Sequence, residues 1–260
     1  MKSALSPSAI SDLREFLHGR LLLAFDLDGT LAPIAPRPED AKVPDDVQQL
    51  LAALAVRTPL AIVTGRAVRD ARRMLWFTPR YFVGNHGAEG VPGREEDAAT
   101  YEALCRQWHA AIVASGIQNR LPGTLLEDKG YSLALHYRLA RHPEQARDAL
   151  LDLARSLDPA PRIVPGRRVL NLVPAQAVHK GDALRALIAH ARAERAVYIG
   201  DDITDEDVFE LRLPGARTIR VEPEGESAAD FCLARQADVA TLLRELTRIL
   251  AGTPVGRAAR

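Results

Sequence analysis

Asp26-Leu-Asp28-Gly-Thr-Leu31 follows the apolar run Leu21-Leu-Leu-Ala-Phe25. Two carboxylates two positions apart, directly after such a run, are costly unless solvated, paired or bound to a cation. Gly200-Asp201-Asp202-Ile-Thr-Asp205-Glu206-Asp207 follows a second run, Ala196-Val-Tyr-Ile199. Its five acidic residues in seven positions repel one another. Some favour the N-terminus of a following helix. The rest suit a hard cation with oxygen ligands, above all Mg²⁺. Thr64-Gly-Arg66 comes after Leu60-Ala-Ile-Val63. A hydroxyl and backbone N–H groups at a helix start make an anion site. Lys180-Gly181 opens a further helix, where a lysine opposes the helix dipole. The conflict is resolved if Lys180 and the helix N-terminus face the same anion. Each segment also has a plain structural alternative: a strand-to-turn cap, an N-cap threonine, a solvated lysine, a solvated acidic cap.

The elements around these segments alternate. A short helix over 8–18 precedes the strand 21–25, whose unbroken apolar character fits burial on both faces. A helix from 45, a strand over 60–63, a helix over 67–75 and a strand over 81–83 follow. This βαβαβ series predicts a parallel sheet with helices on both faces. The four chemical segments then fall at strand ends or helix starts, where open α/β sheets bind ligands.

Between 88 and 174 the pattern changes to strand, long helix, two strands, helix and two strands. The helices are expected over 100–115 and 143–157, the later strands over 124–127, 132–138, 162–164 and 169–173. Leu121-Pro-Gly123 and Pro165-Gly166 suit hairpin-like loops, so an α+β domain inserted into the first is expected. From 180 the alternation returns, with helices over 180–191, 205–211 and 237–250 and strands over 196–199, 218–221 and 231–233. The end, 251–260, reads as frayed. The expected division is a discontinuous core of 1–87 and 175–260 and an insert of 88–174.

Composition removes several classes. The 260 residues carry 34 basic and 34 acidic side chains, and 5% are aromatic. A balanced charge without aromatic interleaving gives no support to nucleic-acid binding. No apolar run reaches the roughly 20 residues of a membrane helix. The first twenty residues carry Lys2, Asp12, Arg14, Glu15 and Arg20 with no apolar block, so a cytoplasmic location is expected. Cys105 and Cys232 stand far apart, in no metal-ligand spacing, so neither a disulfide framework nor a zinc site is expected.

The four segments, in this order, resemble the haloacid dehalogenase superfamily. Lys180 stands 116 positions after Thr64, and in that superfamily an insert there is a C2-type α/β cap. A finer resemblance is to trehalose-6-phosphate phosphatases. It rests on Asp26-Leu-Asp-Gly-Thr-Leu-Ala-Pro-Ile34 with Arg37-Pro-Glu-Asp40, Val63-Thr-Gly-Arg66, Gly84-Asn-His-Gly-Ala-Glu89 and Gly200-Asp-Asp-Ile-Thr-Asp-Glu-Asp-Val-Phe209. The cap segment Glu127-Asp-Lys129 with His136-Tyr-Arg138 fits the same family. Asn171 departs from it, since members often carry an acidic residue there, and His179 before Lys180 is less usual.

The resemblance implies an α/β fold: a Rossmann-like core with a parallel sheet and an inserted α+β cap. It implies a Mg²⁺-dependent phosphoric monoester hydrolase acting on trehalose 6-phosphate through an aspartyl-phosphate. Asp26 is then the nucleophile and Asp28 the general acid and base. Thr64 and Lys180 hold the phosphoryl oxygens. Asp26, the Asp28 carbonyl and Asp201 hold the metal, with Asp205, and Asp202 beside it, as further candidates acting directly or through water. Substrate contacts are expected from Gly65, Arg66, Asn85, His86, Gly87, Glu127, Lys129 and Arg138; Asn85 and His86 read equally as structural loop residues. Strands near 84–88 and 174–180 are expected to act as hinges for cap closure. The implied partners are a small sugar phosphate and, functionally, trehalose-6-phosphate synthase. The alternatives are a phosphatase for sucrose 6-phosphate or a glycosyl-3-phosphoglycerate, and a non-catalytic sugar-phosphate-binding module.

Overall fold

The computed structural model describes residues 1–35 and 37–252; most of the expected frayed end lies outside them. The chain begins with β1 (Lys2–Ser3) and α1 (Pro7–Phe16), which Ser6 caps by accepting from the Ala9 N–H. Then come β2 (Leu21–Phe25), α2 (Asp45–Ala55), β3 (Leu60–Val63), α3 (Val68–Arg73) and β4 (Tyr81–Val83). The middle holds α4 (Ala98–Ala114), α5 (Ile117–Arg120), β5 (Leu125–Asp128), β6 (Leu133–His136), α6 (Pro143–Arg155), β7 (Arg162–Gly166) and β8 (Val169–Val173). The last part holds α7 (Lys180–His190), β9 (Arg195–Gly200), α8 (Glu206–Phe209), β10 (Ala216–Val221), β11 (Phe231–Leu233) and α9 (Asp238–Ala251).

Seven strands form one wholly parallel sheet in the order β1-β11-β10-β9-β2-β3-β4. Strands β2 and β9 lie side by side at its centre. Their residues alternate between two cores. Leu21, Leu23, Phe25, Val197 and Ile199 pack with α1, α2 and α9. Leu22, Ala24, Ala196 and Tyr198 pack with α7 and α8. Burial on both faces is why these strands are apolar at every position.

The second sheet is antiparallel, ordered β5-β6-β8-β7, and every strand of it comes from the segment between β4 and α7. Leu133, Leu135, Leu170 and Leu172 pack with Trp108 of α4 and Leu150 of α6. By strand alternation Glu127, His136 and Asn171 lie on the opposite face. One face is therefore a closed core and the other carries polar groups.

Several expectations need correction. No strand forms near Ala88. Asn85–Gly87 is instead a tight turn in which Asn85 and His86 both have positive φ. Residues 174–179 are irregular, so the expected hinge strands are loops. Pro165 and Gly166 are paired within β7, and the hairpin turn is Arg167-Arg168. A proline is tolerated there because β7 is an edge strand. Gly123 leads from α5 into β5; the hairpin before β6 is closed by the Lys129 N–H donating to the Ser132 carbonyl. The strand β1 and helix α5 had no sequence signal of useful length. Among the described residues no helix is long and apolar enough to cross a membrane.

Candidate active site

Asp26 is the first residue beyond β2. Its N–H donates to the Ile199 carbonyl at 2.8 Å, which ties the end of β2 to β9. The Asp26 side chain is buried, with Lys180 Nζ 3.2 Å from its Oδ1. Burial pushes its carboxyl well above the usual range; Lys180 opposes the shift, and Asp205, Asp201 and Asp28 add to it. Two residues on, Asp28 accepts a forked pair of bonds from Arg66 Nε and Nη2, both 2.6 Å. Thr30 Oγ1 donates to Asp201 Oδ1 at 2.9 Å. A side chain on Gly29 would overlap the Asp201 carboxylate, so the first acidic loop can lie against the second only with glycine here.

Lys180 is 2% exposed, and it also reaches Asp205 Oδ1 at 2.8 Å. Burial disfavours its charge, but Asp205 and Asp26 outweigh this and raise its pKa. Asp205 is fully buried and accepts three donors: Lys180 Nζ and Tyr198 Oη on Oδ1, and the Asp202 N–H on Oδ2. Asp202 caps the turn Ile203–Asp205 by accepting from the Ile203 N–H. Arg220 of β10 binds the Asp202 carbonyl at 2.6 Å and Glu206 at 3.0 Å, bracing the loop from behind.

Asp26, Asp201 and Asp205 present carboxylate oxygens within 4.8 Å of one another. One ammonium serves this group, and Asp201 is pushed up to about 7, first by burial and then by Asp205. Oxygen donors with unbalanced negative charge fit a hard divalent cation. Asp205 has both oxygens engaged, whereas among the described residues the one hydrogen-bond donor to the Asp201 side chain is Thr30, so Asp26 and Asp201 are the carboxylates better placed to coordinate.

Two sequence readings change here. Thr64 does not stand at a helix start: Gly65, Arg66 and Ala67 separate it from α3, and its Oγ1 accepts from the Arg66 N–H. The first N–H of α3, at Val68, is already taken by Glu89 Oε2 at 2.7 Å. At α7, His179 is the N-cap, its Nδ1 accepting from the Gly181 and Asp182 N–H groups at 3.1 and 3.3 Å. Those N–H groups therefore are not an open anion site. Lys180 faces carboxylates, with the cap taken over by a residue to which the sequence reading gave no role.

The open face of the second sheet meets this centre. Lys129 Nζ donates to the Gly65 carbonyl at 3.2 Å and to Asn171 Oδ1 at 3.1 Å. Burial lowers the pKa of Lys129, while Glu127 opposes that shift. Glu127 Oε2 lies 2.7 Å from His136 Nε2, and this contact holds the Glu127 carboxyl below its usual range. Asn171, where the family often has an acid, also donates from Nδ2 to the Val164 carbonyl. Asn85 is wholly buried; its amide bonds Glu89 and accepts from Ser132 at 2.6 Å, so it ties the turn to the β5–β6 hairpin. The His86 ring lies against Gly65, and burial pushes its pKa well down. Gly87 passes close to the Val178 carbonyl. Arg138 lies beyond the end of β6 and donates to the Arg167 carbonyl at 3.3 Å.

Sequence reasoning missed Tyr198, Arg220 and the capping role of His179. Tyr198 did leave a trace, as the polar-tipped residue within Ala196-Val-Tyr-Ile199; Arg220 did not stand out, since its strand also carries Arg217 and Thr218. A side chain on Gly200 would overlap the Asp205 carboxyl. Gly200→Ala is therefore expected to displace Asp205 and lower turnover at least about tenfold, with a lower melting temperature. Steady-state kinetics and a thermal melt check this.

The parallel sheet, the acidic centre at its carboxyl edge and the inserted antiparallel sheet define a haloacid-dehalogenase-like α/β core with an α+β insert. A family profile described as trehalose-phosphatase matches residues 24–228. The chain belongs to that family. It is 33% identical over 233 residues to a trehalose-phosphate phosphatase of Mycobacterium ulcerans, covering 83% of this chain and 58% of that one. It is 32% identical over 253 residues to an uncharacterized glycosyl hydrolase of Mycobacterium tuberculosis, covering 91% of this chain but 19% of that protein. This chain thus spans only part of both relatives. The solved C-terminal domain of the Candida albicans trehalose-6-phosphate phosphatase superposes with a TM-score of 0.74 at 21% identity, covering 96% of this chain and 99% of that one.

Proposed function

We propose that the chain hydrolyses trehalose 6-phosphate to trehalose and phosphate, through a phosphorylated Asp26. The observation that carries this reading is the buried Asp26–Lys180–Asp205 group, with Asp28 two residues on and Lys129 of the inserted segment bonded to the Gly65 carbonyl next to Thr64. The curated relatives named as trehalose-phosphate phosphatases support the choice of substrate.

In the first step an Asp26 carboxylate oxygen attacks phosphorus and the bond from phosphorus to the sugar oxygen breaks. Asp28 gives its proton to that oxygen. In the second step water attacks the phosphorus, Asp28 takes a proton from the water, and phosphate leaves as Asp26 is restored. Arg66 occupies both Asp28 oxygens, so it must release one before Asp28 can meet the leaving group. Thr64 and Lys180 hold phosphoryl oxygens. Mg²⁺, when bound by Asp26, the Asp28 carbonyl and Asp201, supplies positive charge to the phosphoryl group and eases the approach of an anionic nucleophile. Residues 1–87 and 175–260 form the catalytic core, and 88–174 form the specificity cap. Glu127 and Lys129 read the sugar, with Arg138, Gly65, Asn85, His86 and Gly87 around them. We place the reaction in the cytoplasm, where a trehalose-6-phosphate synthase would supply the charged substrate.

A phosphate-release assay with Mg²⁺ tests the reading. Its panel is trehalose 6-phosphate, sucrose 6-phosphate, a glucosyl-3-phosphoglycerate and p-nitrophenyl phosphate. Preference for the first, abolished by chelation, is expected; a flat profile overturns the substrate assignment. Lys129→Ala should lower turnover of trehalose 6-phosphate at least about tenfold and that of p-nitrophenyl phosphate within about twofold. Equal losses would move Lys129 from the sugar to the chemistry or to folding.

A further inference from the structure

Tyr198 occupies the fourth position of β9 and is fully buried. Its ring packs edge-on to Phe209 of α8, with centroids 6.1 Å apart. A phenylalanine would fill this apolar space without a polar tip. The hydroxyl therefore needs a partner, because a buried O–H without one is destabilising. Tyr198 Oη donates to Asp205 Oδ1 at 2.6 Å. The same oxygen receives Lys180 Nζ at 2.8 Å, and Lys180 lies 3.2 Å from Asp26. Four buried groups thus form one chain, from Tyr198 through Asp205 and Lys180 to Asp26.

The shared oxygen has a consequence for Lys180. Its ammonium stands between two carboxylates, one wholly buried and one at the reacting position. Without Tyr198, Oδ1 would have Lys180 as its one side-chain donor, and the closer ion pair would draw the ammonium toward Asp205. With Tyr198 in place, the accepting capacity of Oδ1 is divided. The Asp202 N–H on Oδ2 at 2.9 Å completes the fixing of the carboxylate plane. We propose that Tyr198 is a positioning residue that, through Asp205, keeps the Lys180 ammonium directed at Asp26 and at the phosphoryl group Asp26 attacks. The catalytic half of this proposal rests on the phosphatase reading above; the structural half rests on hydrogen-bond geometry alone.

Tyr198→Phe keeps the ring and removes one oxygen. In chelator-treated protein, the ¹⁵N resonance of the Lys180 ammonium should shift and its protons should exchange faster in Tyr198→Phe than in the wild type. An unchanged resonance overturns the proposal whether or not the protein hydrolyses anything. In the Mg²⁺-loaded enzyme, kcat for trehalose 6-phosphate should fall about tenfold, the loss expected for one hydrogen bond to a charged group. KM should stay within about twofold, which separates positioning from loss of substrate binding. In an Asp205→Asn background Tyr198→Phe should cost nothing further, because its route to Lys180 is already cut. An unchanged kcat, or losses that multiply independently in the double variant, overturn the proposal. Failure of the phosphatase reading looks different: the wild type then releases no phosphate from any member of the panel, and the ammonium resonance still decides the role of Tyr198.

Discussion

Asp26→Asn is expected to abolish turnover and, in the absence of metal, to raise the melting temperature. The first effect follows from the loss of the nucleophile, since an amide oxygen cannot form the phosphorylated intermediate; a fall of at least about 10⁴-fold is expected. The second follows from the electrostatics of the site. Asp26 is 4% exposed and stands among Asp28, Asp201 and Asp205. Burial and the neighbouring carboxylates raise its folded pKa well above the usual range, and burial with Asp205 raises that of Asp201 to about 7. A carboxyl whose folded pKa lies above its unfolded value binds its proton more tightly when folded. It costs least stability below the unfolded value, and the penalty grows as pH rises through the window up to the folded value. For Asp201 the window runs from the ordinary carboxylate range near pH 4 to about 7, and for Asp26 it opens at the same lower bound. Chelated wild-type protein should therefore lose melting temperature across that window, and Asp26→Asn should lose less. Added Mg²⁺ should raise the melting temperature of the wild type far more than that of the variant, because one coordinating carboxylate is gone. Thermal melts from pH 4 to 8, with chelator and with Mg²⁺, check each point. A variant that melts below the wild type in chelator would mean that the Asp26–Lys180 contact outweighs the repulsion.

The sequence carried much of this arrangement because its strongest features are chemical conflicts. Apolar runs at 21–25 and 196–199 could only be strands buried on both faces, and acidic residues directly after them could only stand at the sheet's edge. That is why Asp26, Asp201 and Asp205 converge, while Asp28 pairs with Arg66 beside them. Helix ends were harder to read. Thr64 and Lys180 looked like anion-binding helix starts, yet Glu89 and His179 cap those helices. Neither cap follows from local spacing. Glu89 reaches Val68 from 21 residues away, and an N-cap histidine is outside the usual preference for serine, threonine, aspartate and asparagine. The strand expected over 84–88 was misread because the turn there, with positive φ at Asn85 and His86, is held by the buried amide bonds of Asn85 to Glu89 and Ser132. Such long-range partners have no periodicity. Tyr198 and Arg220 stayed hidden for a related reason: in a buried strand the sequence shows a polar tip without showing what it touches.

Lys180→Met carries the opposite balance to Asp26→Asn, and the contrast isolates what the lysine does. The side chain is 2% exposed, and methionine occupies a similar length and volume. Removing the ammonium leaves Asp205 with Tyr198 and the Asp202 N–H, and leaves Asp26 without its cation. Breaking a buried ion pair by deleting one partner costs about 3–5 kcal/mol, because a charge remains without compensation. Against a typical total of roughly 5–15 kcal/mol, the chelated variant should unfold at markedly lower urea concentration than the wild type. Turnover should be lost as well, since the phosphoryl oxygens lose a fixed positive charge. Metal affinity should move the other way: with its competing cation gone, the acidic centre is more negative, and Mg²⁺ should bind more tightly and restore part of the lost stability. Adding Asp205→Asn to Lys180→Met should recover stability in chelator, because the uncompensated carboxylate is then neutral. Urea titrations of the single and double variants, with and without Mg²⁺, measure all three effects. If the double variant is no more stable than Lys180→Met, the lysine stabilises the fold by packing its carbon chain rather than by balancing Asp205.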